Sequence, residues 1–144
     1  ESAAIVYSSG ASLVQVGLDV CNKVHISQSQ LEQIKQAGTP TTRLLSAATP
    51  SLQRSYVERG LLEEGGGVRY NDLPAITFMV DPNLFGCSEM FVEIETHIST
   101  ARGQTVAHQI GSDARLPNAT VCLEVDGERA AALFTERIIG YRAP

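Results

Sequence analysis

This 144-residue sequence predicts an α/β fold, on three patterns. Ser12-Leu13-Val14-Gln15-Val16-Gly17-Leu18 is a short, almost continuous apolar run, as expected of a strand in a buried parallel sheet. Several stretches carry apolar residues at helical spacing. Three later segments, 91–96, 105–110 and 119–125, alternate apolar and polar residues and are bounded by turns, which predicts antiparallel strands.

Residues 2–8 read as the end of a helix stopped by Ser8-Ser9-Gly10, so the chain opens in mid-helix. Asp19 follows the first strand at its carboxyl end, where open α/β sheets place their ligands. Ser27 or Ser29 caps a helix over 28–37 that Gly38 closes. Thr39-Pro40 opens a longer helix with Leu44, Leu45, Ala48, Leu52 and Tyr56 on one face, and Pro50 inside it should kink or divide it. Residues 60–70, rich in glycine and charge, predict a mobile loop.

The helix at 72–80 is apolar enough to be buried on all sides, and Asp81-Pro82-Asn83 turns the chain out of it. Gly103, Gly111 to Asp113, and Pro117-Asn118 separate the alternating strands. Asp126-Gly127 leads into a last helix with Ala130, Leu133, Phe134, Arg137 and Ile138 at helical spacing. Nothing in the composition divides the chain, which predicts a single domain over 1–144.

Composition narrows the function. At 43% hydrophobic the chain can bury a core. A net charge of −5, with 11 scattered Lys and Arg, speaks against nucleic acid as partner. No stretch approaches the ~20 apolar residues that span a bilayer, so no membrane partner is expected. Cys21, Cys87 and Cys122 are widely spaced without a CxxC pair, which predicts reduced core thiols in a cytoplasmic protein.

Familiar catalytic patterns are missing. There is no G-x-S-x-G elbow, and His25, His97 and His108 fall at unrelated positions. Gly65-Gly66-Gly67 lacks the later glycine and the Lys-Ser/Thr of a phosphate loop. Asn118-Ala119-Thr120 fits a glycosylation pattern but enters a strand. Glu63 and Glu64 read as a solvated loop face. Two acids have settings suited to a polar ligand or cation, Asp19 at a strand end and Asp72 at a helix start. Local chemistry reads Asp72 first as a helix cap and second as a ligand at the positive end of the helix dipole.

Four segments together add a context. Val16-Gly17-Leu18-Asp19-Val20, Asn71-Asp72-Leu73-Pro74-Ala75 with Val80-Asp81-Pro82, Arg102-Gly103-Gln104-Thr105-Val106, and Pro117-Asn118-Ala119-Thr120-Val121 resemble, in order and spacing, the C-terminal half of the inosine-uridine-preferring nucleoside hydrolases. The resemblance covers essentially the whole chain. It implies the C-terminal part of a Rossmann-like domain: parallel strands with helices, a small antiparallel sheet and a C-terminal helix.

It also implies hydrolysis of the N-glycosidic bond of ribonucleosides, with a nucleoside as small-molecule partner and a tightly held calcium ion. In that family the calcium lies on an N-terminal aspartate cluster and one late aspartate, which Asp72 matches. The metal holds the ribose diols and lowers the pKa of the attacking water, a cluster aspartate is the base, and the transition state is oxocarbenium-like. Before the late aspartate the family usually has a histidine that helps the base depart.

Here Asn71 stands in place of that histidine, and Leu73-Pro74 replaces a Pro followed by an apolar residue. Asn71 can hydrogen-bond a leaving base but cannot protonate it. The preceding loop corresponds to a flap over the base, where Tyr56, Arg59 and Tyr70 are the candidates for base contacts, and Asp19 is expected to be structural. The aspartate cluster and the Glu-Phe-Asn ribose segment fall outside these 144 residues, so the chain reads as part of a divided site, inactive alone. A cut sheet would expose a strand edge and apolar faces, which predicts a homo-oligomer. A second reading is a binding or assembly module of impaired catalysis, with Asn71 as the mark of the loss.

Overall fold

The computed structural model describes residues 1–109 and 115–141. The turn expected at Gly111 to Asp113, and Ile110 at the end of one alternating run, lie outside the described residues. The chain divides into two compact units, Glu1–Gly17 with Phe85–Glu124, and Leu18–Leu84 with Val125–Pro144.

The first unit holds α1 (Ser2–Ser8) and one four-stranded sheet of β1 (Val14–Val16), β2 (Phe85–Ile94), β3 (Thr105–Gln109) and β4 (Ala119–Val125), in the order β1-β4-β2-β3. The expected parallel and antiparallel parts are one sheet. Strand β1 pairs with β4 in parallel, Val14 opposite Thr120 and Val16 opposite Cys122. Strands β2 and β3 are antiparallel, from Met90 opposite Gln109 to Ile94 opposite Thr105. The Asn118 amide donates to the Met90 carbonyl at 3.1 Å while Cys122 meets Cys87, so β4 also runs against β2.

Alternation puts Met90, Val92, Ala119 and Val121 into the core of this unit, with Tyr7, Leu13 and Leu123 against them. The expectation of three reduced thiols is corrected here. Cys87 and Cys122 occupy facing positions on neighbouring strands and are joined as a disulfide, while Cys21 is buried and forms none.

The second unit is helical: α2 (Leu18–Cys21), α3 (Gln28–Ala37), α4 (Pro40–Glu58), α5 (Leu73–Val80) and α6 (Gly127–Gly140), with a 3₁₀ turn at Pro82–Leu84. Helix α3 starts with a capping box, Ser27 with Gln30, and ends on Gly38 in the left-handed region. Thr39 caps α4 and Pro40 begins it, as the sequence reads. Pro50 does not divide α4, which runs unbroken for 19 residues.

The buried face of α4 shares Tyr56 with the expected one but differs otherwise: Thr42 and Thr49 are buried with it at seven-residue intervals, Leu45 and Leu52 are half-buried, and Leu44 and Ala48 are exposed. Threonine can occupy such a face because its hydroxyl is satisfied locally. Thr42 donates to the Thr39 carbonyl at 3.2 Å and Thr49 to that of Leu45 at 2.7 Å.

Helix α5 corrects the expectation of burial on all sides. It packs against α6, α2 and the 3₁₀ turn and buries Leu73, Pro74 and Thr77. Ile76 is 63% exposed and Met79 83%, because these contacts are confined to one side of the helix.

Candidate functional site

The site is built on the segment that joins α4 to α5, and that segment is anchored at its second half. Ile26 and Val68 exchange backbone hydrogen bonds of 2.9 Å in both directions and are both essentially inaccessible. The Gln53 side chain on α4 donates to the Gly67 carbonyl at 2.9 Å. Gly67 has φ +89°, and a Cβ there would stand 2.2 Å from the Ile26 carbonyl oxygen, so only glycine lets the two backbones meet. The loop expected to be mobile over 60–70 is therefore pinned at Gly67 and Val68, three residues before Asn71.

Tyr70 follows, its ring 5.9 Å from that of Phe134 on α6 and its phenol 2.6 Å from the Thr49 hydroxyl. The single Thr49 proton goes to the Leu45 carbonyl, so the Tyr70 phenol is the donor. Burial pushes the Tyr70 pKa up.

Asn71 and Asp72 are exposed at the start of α5. The Tyr56 phenol, on the buried face of α4, donates to Asn71 Oδ1 at 3.0 Å. Tyr56 is 8% exposed, so its ring packs inside the unit while its hydroxyl reaches Asn71. Arg59 stands exposed at the C-cap of α4. Asp72 occupies the N-cap position, but its backbone is helical and its side chain makes no capping hydrogen bond. The local reading of Asp72 as a cap is thus not the one the fold uses. The Leu73 amide donates to the Tyr70 carbonyl and Pro74 carries no N–H, so Asp72 stands at the positive end of the helix without a capping role.

Asp19 lies in the first turn of α2, just beyond the strand end at which the sequence placed it. The Cys21 thiol is pushed up by burial and then by the charges of Asp19 and Asp72, so both carboxylates lie near it. The family likeness already expects Asp19 near the site in a structural role, but no sequence signal marks Thr49, Gln53 and Ile26 as the groups that hold the Tyr70-Asn71-Asp72 segment. In the sheet unit His97 and His108 pair with Glu95 and Glu93, and in the helical unit His25 lies beside Gly67.

A calcium ion takes six to eight oxygen ligands. Among the described residues no group of three or more His, Cys, Asp or Glu side chains is placed to hold a metal. Asp72, even with Asp19, does not fit calcium on its own.

Three comparisons bear on this geometry. The model of the inosine-uridine preferring nucleoside hydrolase family matches residues 1–132. The pyrimidine-specific ribonucleoside hydrolase RihA of Salmonella gallinarum is 31% identical over 143 residues, 98% of this chain and 45% of that protein. RihA of Citrobacter koseri is 30% identical over the same shares. This chain therefore spans slightly under half the length of the curated relatives it matches.

Among solved structures, a purine-preferring ribonucleoside hydrolase from Gardnerella vaginalis superposes with a TM-score of 0.83 at 24% identity, over 97% of this chain and 43% of that one. A plant nucleoside hydrolase, PpNRh1, gives 0.85 at 22% identity, over 98% and 45%. These likenesses show the fold, that of part of the nucleoside hydrolase architecture. With the family match over residues 1–132, the chain belongs to the inosine-uridine preferring nucleoside hydrolases.

Proposed function

We propose that the whole protein hydrolyses the N-glycosidic bond of ribonucleosides to free base and ribose, and that this chain is one portion of a single nucleoside hydrolase domain, inactive alone. One observation carries the reading: Asp72 stands uncapped at the start of α5, next to an Asn71 that is held in place and faces outward. Asp72 supplies one carboxylate to a calcium site whose other ligands come from the rest of the domain. Asn71 receives the leaving base through a hydrogen bond. Arg59 is the exposed group beside the loop suited to a base or ribose hydroxyl, and Tyr56 and Tyr70 act mainly by holding the segment.

Measuring ribose release from uridine, cytidine, inosine and adenosine by the full-length protein tests this reading. Release from any of them supports it, and no release from all four contradicts it. Asn71 favours one other reading, a binding or assembly module. Nucleoside binding without turnover would mark that outcome.

The exposed Ile76 and Met79 support an association of α5 with further polypeptide, either the rest of the domain or a second copy in a homo-oligomer. A cytoplasmic location belongs to the same proposal. No described helix is long and apolar enough to cross a membrane. The Cys87–Cys122 bond argues for an oxidising compartment. Trapping thiols in fresh cell extract decides between them: a reduced pair supports the cytoplasm, and a bonded pair contradicts it.

A further inference from the structure

Resting on the nucleoside hydrolase reading, we propose that Tyr56 is a positioning residue that makes Asn71 a donor-only contact for the leaving base. The base is then received at one of its own acceptor atoms and is not protonated by residue 71.

The geometry sets the polarity of Asn71. An asparagine amide has one accepting oxygen and a nitrogen with two donors and no lone pair to offer. The Tyr56 phenol donates to Oδ1 at 3.0 Å, which points the acceptor inward and leaves Nδ2 on the exposed side. Tyr56 is itself held, because its ring is buried on the face of α4 that carries Thr49. Thr49 in turn bonds Tyr70, and the Leu73 amide donates to the Tyr70 carbonyl at 2.9 Å, so the backbone on both sides of Asn71 is tied down. A preset donor pays no reorganisation when charge develops on a leaving group.

Only a base that turns a carbonyl oxygen or an unprotonated ring nitrogen toward Nδ2 satisfies this contact. As the C1′–N bond breaks, its electron pair goes to the base, and the growing negative charge strengthens the hydrogen bond from Nδ2. Water gives its hydroxyl to C1′, and its remaining proton ends on the base. An amide does not titrate near neutrality, so residue 71 adds no limb to the pH profile there, as a histidine would.

The test uses the full-length protein with two kinds of substrate, nucleosides and 4-nitrophenyl riboside, whose aryl group leaves without hydrogen-bond help. Tyr56→Phe should lower kcat on nucleosides by about 10- to 10²-fold while sparing the aryl riboside. Asn71→Asp keeps the acceptor for Tyr56 but removes the donors, and should cost nucleoside turnover about 10²-fold with the aryl riboside again spared. The Asn71 side-chain amide resonances should shift in Tyr56→Phe, a readout that needs no activity.

Parallel loss on both substrates would mean a structural role and overturn the proposal, as would an unchanged Tyr56→Phe enzyme. Wild type that cleaves neither substrate overturns the hydrolase reading itself, and this inference with it.

Discussion

The sheet unit and the helical unit both carry segments that mark the family, yet they use them differently. In the sheet unit the marking residues hold backbone. Asn118 accepts from the Val92 amide at 2.7 Å and donates to the carbonyls of Val92 at 2.8 Å and Tyr7 at 3.0 Å, tying α1 to β2. Gly103 has φ +90° and donates to the Glu95 carbonyl at 2.7 Å, closing the β2–β3 hairpin. Arg102 pairs with the exposed Glu1, a contact worth little in solvent. In the helical unit Asn71 and Asp72 are exposed, and buried groups spend their hydrogen bonds holding the segment around them. A family motif is therefore no uniform sign of chemistry. What separates its two uses is where the side-chain polar atoms go, into the fold or out of it.

That contrast can be broken most directly at Asp72. Asp72→Asn in the full-length protein should lower ribose release by about 10³-fold, several kcal/mol of lost charge stabilisation. Its thermal unfolding should move by less than about 0.5 kcal/mol, since the carboxylate caps nothing. A large stability loss with activity intact would place Asp72 with the structural residues.

Gly67→Ala probes the anchor of the site. The required φ and the 2.2 Å approach to Ile26 force the loop away, costing about 3 kcal/mol and disturbing Asn71 as well. Chemical denaturation measures the first effect and nucleoside kinetics the second. If only stability falls, the anchor does not position the site. Asn118→Ala removes three hydrogen bonds in the sheet unit and should cost about 2 kcal/mol. Turnover per folded molecule should stay unchanged.

How much of this was legible in the sequence depended on the range of the interaction. Helix ends were read well because caps are local: Ser27 with Gln30, Thr39 with Pro40, and Gly38 act within a few residues. The buried face of α4 was misread because Leu44 looks like core, whereas Thr42 and Thr49 hide their hydroxyls on carbonyls of their own turn. The Cys87–Cys122 bond depends on the register of two strands 35 residues apart, which no single segment encodes. Asn71 and Asp72 are proposed from family likeness and local chemistry. Their support, Thr49 to Tyr70, Tyr56 to Asn71 and Ile26 to Val68, is long-range and visible only in the fold.

The smallest expected effect is on pH dependence in the sheet unit. The Tyr7 phenol donates to Gln15 at 2.6 Å, and burial raises its pKa above the ordinary 10.0. A group whose proton is held more tightly in the folded state loses its contribution as pH rises through the unfolded value. Stability should thus be level at neutral pH and decline slightly above pH 10.0, less so in Tyr7→Phe. Equal alkaline decline in the variant would assign the effect to another group.

The central proposal is that this chain contributes part of a nucleoside hydrolase site, an oriented Asn71 and an Asp72 that caps nothing, and not a complete calcium centre. Isothermal titration of the 144-residue chain with calcium tests it most directly. Weak binding at most is expected, lost in Asp72→Asn. Sub-micromolar affinity would contradict it, because the chain would then hold a full coordination sphere by itself.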